Sequence, residues 1–332
     1  MTSKKWIYLG ILAVLAIILA FILIGRNEEA SLTEQPAEPQ EIKISYMSGG
    51  ASDSVLPLFV AQEKGFFEEE GLKVKLEEMQ PSMSLSALLA GEVDYMPFPL
   101  NAVIANLKGA QVKTIILTSR YPMFFLVAQP GLELEDLKSI GITFFGASPM
   151  HYHALKLVEE NNLDVEIIAS NDPQATVAFL FRGTTDAILA QELKAIRFQA
   201  SGFSILKAFH DVLPSGLSTT TEKIENNPEE VRKIVRAVKK AREFIESNPE
   251  EMKEFILRFY NLEKTEENLA MAETAALMFK DAFTRKGVPV DEGLETLIKI
   301  AKAGSFENLQ DIEGQTVSQE EIDQVFDFRF VE

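Results

Sequence analysis

The chain has 332 residues, 32 basic and 50 acidic side chains, a formal net charge of −18, and no cysteine. The missing thiols exclude a disulfide scaffold, a thiolate metal site, a cysteine nucleophile and a cysteine-borne lipid anchor. The acidity argues against a nucleic-acid partner, since phosphate binding draws on clustered Lys and Arg, while 46% hydrophobic and 25% charged residues suit a globular body large enough for two lobes.

Lys4 and Lys5 precede an uncharged run at 6–24, WIYLGILAVLAIILAFILI. At about 1.5 Å per residue, a helix of this length reaches roughly the 30 Å of a bilayer core. A cleaved export signal has a shorter apolar region of about 7–15 residues and a small-residue cleavage site, whereas here Arg26, Asn27, Glu28 and Glu29 follow. Residues 1–26 therefore read as a transmembrane signal anchor with a cytoplasmic N-terminus and the body on the periplasmic or extracellular face. Cleavage would instead release the body. Residues 27–41 (NEEASLTEQPAEPQE) are nearly free of apolar side chains and read as a flexible acidic linker.

From residue 42, short apolar strands alternate with amphipathic helices, the pattern of an α/β protein. Strands are expected at 42–47, 72–76, 93–96, 113–118 and 123–128, with helices at 56–67, 84–90 (stopped by Gly91) and 99–108 (closed by Gly109). A second unit repeats the alternation, with strands at 139–144, 165–169 and 186–189 and helices at 149–161, 173–181 and 193–198. After Ser218 the chain reads as helical. Asn227-Pro228-Glu229-Glu230 and Asn248-Pro249-Glu250-Glu251 are helix starts of one design, with proline in the first turn and carboxylates where the helix dipole favours them. The charged run at 232–242 reads as a solvated helix face, and Ser318 with Glu321 as a capping box.

Several helix starts follow strand ends directly: the loop SGGASDS after the first strand, Pro97-Phe98-Pro99, Ser148-Pro149 and Asp172-Pro173. Turns at the carboxyl ends of strands are where α/β sheets bind ligands, and their free N–H groups suit anionic or carbonyl-rich molecules. His151 lies in the first turn after Ser148 and is a candidate ligand contact. His153, two residues on, points to another face, which makes a metal pair improbable, and His210 reads as a surface or packing residue. The paired phenylalanines at 66–67, 124–125 and 144–145 read mostly as core. Phe98 and Tyr152 could stack on a planar ligand, and Gln191 and Glu192 could bond one from the end of the strand before them. Arg120 is the candidate counter-charge for an anion. There is no phosphate loop, no G-x-S-x-G and no H-E-x-x-H, so no catalytic residue, metal or cofactor is expected.

The segment PLFVAQEKGFFEEEGLKVKL at 57–76, followed by ALLAGEVDYMPFP at 87–99, resembles the periplasmic solute-binding proteins of the nitrate/sulfonate/taurine and thiamine-pyrimidine group. Further likeness lies in QPGLELEDLKSIGIT, in FLFRGTTDAIL and in the helical return at 225–251. The resemblance implies a type II periplasmic-binding-protein fold of two α/β lobes joined by a hinge. Lobe 1 would span 42–125 and 218–332, and lobe 2 would span 126–217. It implies ligand contacts from the loop carrying Ser48, Gly49 and Ser52, from the turn of Phe98 and Asn101, from the turn of Ser148 and His151, and from Gln191 and Glu192. The implied function is capture of a sulfonate, nitrate, pyrimidine or aromatic acid by a monomer and its delivery to an ABC permease. An exported ligand sensor, or an enzyme of pyrimidine or menaquinone-precursor synthesis, stands as the alternative. The chain departs from the family pattern at Val55, where many members carry His, at Leu193, where Pro is frequent, and in DLKSI. These departures fall around the expected pocket, so no member's substrate carries over.

Overall fold

Prolines punctuate the fold of this chain, seen in a computed structural model that describes residues 40–47, 55–119, 124–209, 214–282, 291–304 and 307–331. The expected anchor at 6–24 and residues 27–39 of the expected linker lie outside the described residues, among which no helix is long and apolar enough to cross a membrane; Gln40 and Glu41, expected in the linker, instead open the first strand. Strand β1 (Gln40–Tyr46) leads to α1 (Leu56–Glu63) and α2 (Phe66–Glu69). One helix was expected there, but Gly65 between them has φ +74°, a left-handed turn that ends the first helix. Next come β2 (Leu72–Glu78), α3 (Pro81–Leu89) and α4 (Pro99–Leu107). Helix α3 starts earlier than expected because Pro81 serves as its first residue.

Strands β3 (Val112–Ser119), β4 (Phe124–Ala128) and β5 (Ser139–Thr143) follow. Then come α5 (Pro149–Glu160), β6 (Glu166–Ser170), α6 (Pro173–Phe181), β7 (Ala187–Gln191) and α7 (Glu192–Ala200). Two strands absent from the sequence reading, β8 (Ser204–Phe209) and β9 (Ser215–Thr220), precede the helical stretch. That stretch holds α8 (Thr221–Asn226), α9 (Pro228–Ser247), α10 (Pro249–Phe259) and α11 (Glu266–Ala282). It ends with α12 (Asp291–Ala303), α13 (Gln310–Glu313) and α14 (Gln319–Val325), the last opened by the Ser318–Glu321 capping box.

The larger sheet has the order β6-β5-β7-β4-β8, with β5 parallel to β6 and β7, and β4 antiparallel to β7 and β8. On β4, Phe125 and Val127 face one core and Phe124, Leu126 and Ala128 another. Burial on both sides explains the continuous apolar run FFLVA. Strands β3 and β9 form a separate antiparallel pair. The expected strand at 93–96 is reduced to single bridges, Tyr95 to Ile44 of β1 and Met96 to Ser218 of β9. Pro97 and Pro99 bring no N–H to a ladder, so pairing stops there.

Helix α9 buries Val231, Ile234, Val235, Val238 and Ala241, and on its outer face Arg236 and Lys240 pair with Glu70 and Glu69. Arg242 corrects the expectation of a solvated run. It lies on the buried stripe with Val238 and Ile245, is 1% exposed, and donates from Nη1 to the Leu117 carbonyl at 3.1 Å. Burial, offset in part by the nearby Glu246 and Glu243, lowers its pKa to about 10.

Candidate ligand-binding site

Phenylalanine 144 leaves β5 with φ +67° and Gly146 follows at +79°, so the chain turns sharply before entering α5. Ser148 caps that helix by accepting from the His151 N–H at 3.2 Å. The equivalent turn before α6 is built by Asp172, whose Oδ1 accepts from the Gln174 N–H at 2.8 Å. Thr143 donates to Thr176 at 3.0 Å and ties the two turns to one sheet end. These starts, with those of α3, α4 and α7, converge on one cavity of about 630 Å³. It lies at the carboxyl ends of β1, β5, β6 and β7, the position where parallel strands leave a crevice.

The structure brings Phe98, Asn101, Ser148 and Gln191 together in the cavity wall. Ser48, Gly49, Ser52, Arg120 and His210 lie outside the described residues. His151, Tyr152 and Glu192 are near the wall in sequence but do not line it. His151 is 1% exposed; its Nδ1 sits 3.2 Å from both the amide nitrogen and the carbonyl oxygen of Gly146, and Phe145 covers its ring at 4.0 Å between centroids. It shapes the turn from behind. Burial lowers its pKa, and the backbone contact with Gly146 opposes this in part. Tyr152 packs edge-on to His153 and toward the α12 cluster. Glu192 is a buried first residue of α7.

Sequence reasoning missed Lys194, Asn171, Thr143, Ser82 and Ser215, all of which line the cavity. Among the described lining residues Lys194 is the only charged one. It is half-buried, and burial lowers its pKa while the field of Glu192 pushes the other way. Of the paired phenylalanines, Phe124 and Phe144 line the cavity, whereas Phe145 is 51% exposed.

A five-stranded sheet and the separate pairs β1–β2 and β3–β9, with a cavity at strand carboxyl ends, make up an α/β periplasmic-binding-protein fold, and solved structures agree. The chain is similar to the putative periplasmic sulfonate-binding protein SsuA of an ABC transporter from Methylobacillus flagellatus KT, at 19% identity over 89% of this chain and 93% of that one, TM-score 0.64. It is similar to the periplasmic nitrate-binding protein NrtA from Synechocystis PCC 6803, at 11% identity over 88% and 87%, TM-score 0.65. An enzyme is also similar: a DszB mutant in complex with biphenyl-2-sulfinic acid, at 12% identity over 88% and 98%, TM-score 0.61. Comparison with curated proteins gives no match. The model of the NMT1/THI5-like family matches residues 52–252, and the chain belongs to that family.

Proposed function

We propose that this chain is the solute-binding component of an ABC-type importer, which captures a small organic or oxoanionic solute and hands it unchanged to a permease. The observation that carries the reading is the cavity of about 630 Å³ walled by helix starts from both sides of the β3–β4 and β8–β9 connections. Its volume falls in the range of about 300–1,000 Å³ that small-molecule sites occupy. In this reading, residues 42–125 with 218–332 form one lobe, residues 126–217 the other, and ligand biases a closure equilibrium between them. The apolar run at 6–24 tethers a monomeric body to the membrane on its outer face, or directs its release if cleaved. Support also comes from the neighbours, a sulfonate-binding protein of an ABC transporter and a nitrate-binding protein.

The test is a thermal-shift screen of the full-length chain against sulfonates, inorganic oxoanions, pyrimidines and aromatic acids. A true ligand present at about 100 times its Kd adds about 2.7 kcal/mol to the stability of the folded state, and so raises Tm. Indifference to every class contradicts the proposal, as does turnover of any compound that binds.

A further inference from the structure

We infer that the cavity is built for an organic monoanion, a carboxylate or sulfonate on a ring or chain body, and that Lys194 is the residue selecting its charge; the inference rests on the solute-binding reading above. The charge balance of the wall comes first. Among the described lining residues there is one ammonium and no carboxylate. A buried or half-buried charge is costly unless another charge answers it. Lys194 forms no ion pair or hydrogen bond with any described residue. Glu192, two positions away on the same helix, acts on the ammonium only through its field, which offsets part of the burial cost without pairing with it.

The location of the cation points the same way. Lys194 sits in the first turn of α7, where the helix dipole disfavours positive charge and favours negative. Fold stability alone gives no reason for a lysine there. An anion held between its ammonium and the α7 start would be favoured by both the charge and the dipole.

The rest of the wall describes the body of the ligand. Phe98, Phe124 and Phe144 line it together with six prolines, surfaces that gain from covering apolar area. A small inorganic oxoanion would answer the ammonium and leave those walls hydrated. A neutral heterocycle would cover the walls and leave the ammonium with only the field of Glu192 to answer it. An organic monoanion does both, with Asn101, Asn171 and Gln191 available to its oxygens.

The experiment is calorimetric titration of the full-length chain with matched pairs: toluenesulfonate and toluenesulfonamide, phenylacetate and phenylacetamide, hexanesulfonate and hexanesulfonamide, with sodium nitrate alongside. At least one organic anion is expected to bind about 10-fold or more tighter than its neutral amide, and nitrate not to bind. Lys194→Gln should weaken that anion by about 10–100-fold, the range of one charge-assisted hydrogen bond, with little effect on the amide. Lys194→Arg should restore most of the preference. Equal binding of anion and amide overturns the inference, as does wild-type affinity for the anion in Lys194→Gln with an unchanged melting temperature. A neutral solute carried through purification, seen by native mass spectrometry, overturns it too and leaves solute capture standing. A chain that carries no solute and binds no member of the panel contradicts both.

Discussion

Ser148 is at once a helix cap and part of the cavity wall, and that double role explains which site residues the sequence could announce. Phe98 and Ser148 each precede a proline that opens a helix, and Asn101 lies in the first turn after Pro99, so local chemistry alone marks them as helix-start residues. Lys194 carries no such mark, because whether a first-turn side chain faces a cavity depends on how the whole helix is docked. His151 fails for a related reason. The cap fixes its N–H, and the tight turn at Gly146 draws its ring inward, away from the wall. Burial holds the ring below the ordinary histidine pKa of about 6.5. The unfolded chain therefore binds the proton more readily, and the stability His151 contributes is complete above that value and lost as pH falls through it. Equilibrium denaturation between about pH 7.5 and about pH 5.5 should show a steeper loss of stability in the wild type than in His151→Gln. Identical slopes would remove His151 as the source.

Among the elements, α9 has the clearest sequence signature and hides the largest surprise. Its apolar stripe and paired outer face follow from helical spacing, yet the same spacing puts Arg242 on the stripe. Its guanidinium supplies a donor to the Leu117 carbonyl at the end of β3 and faces the buried Glu246. Arg242→Ala should cost about 3–5 kcal/mol, because it strands that carboxylate and carbonyl in the interior. A shift of the denaturation midpoint worth less than about 1 kcal/mol would mean that water replaces the arginine. Strand β9 was illegible for the opposite reason. Its residues SGLSTT lack an apolar period, and it is held by polar pairs: Ser218 Oγ lies 2.8 Å from Thr114 Oγ1, and Thr219 donates to the Asp94 carbonyl at 2.7 Å. Such cross-strand bonds are tertiary facts. In the five-stranded sheet β8 was missed as well, whereas β4 to β7 and the helices between them were legible to within about two residues; α6 spans Pro173–Phe181 as expected.

At the scale of the molecule, the register pairs Ser119 with Ser215 and Phe124 with Phe209. The two chain segments that link the smaller pair of strands to the large sheet therefore start side by side and finish side by side. Two further contacts bridge the same division. Helix α11 packs against α7 as well as against α9 and α10. Across from it, Leu155 of α5 joins the cluster of Leu294 and Leu297 on α12, and Glu159 accepts from the Leu309 N–H at 2.7 Å. Leu297 also lines the cavity, so the contacts that hold the two parts together and the wall that would grip a solute are continuous. The net charge of −18 has little to say about that solute. Much of it sits in residues 27–41 and on outer faces, where ion pairs such as Lys253–Glu250 are exposed and screened by water and salt. Among the described residues lining the cavity, the one charge is positive.

The most direct test of solute capture is native mass spectrometry of the full-length chain in detergent after equilibration with the organic anions. One unmodified small molecule per chain is expected, released intact on denaturation and lost in Asn101→Trp, which fills the cavity from the start of α4. A chain without any adduct, or an adduct undiminished in Asn101→Trp, would contradict capture in this cavity.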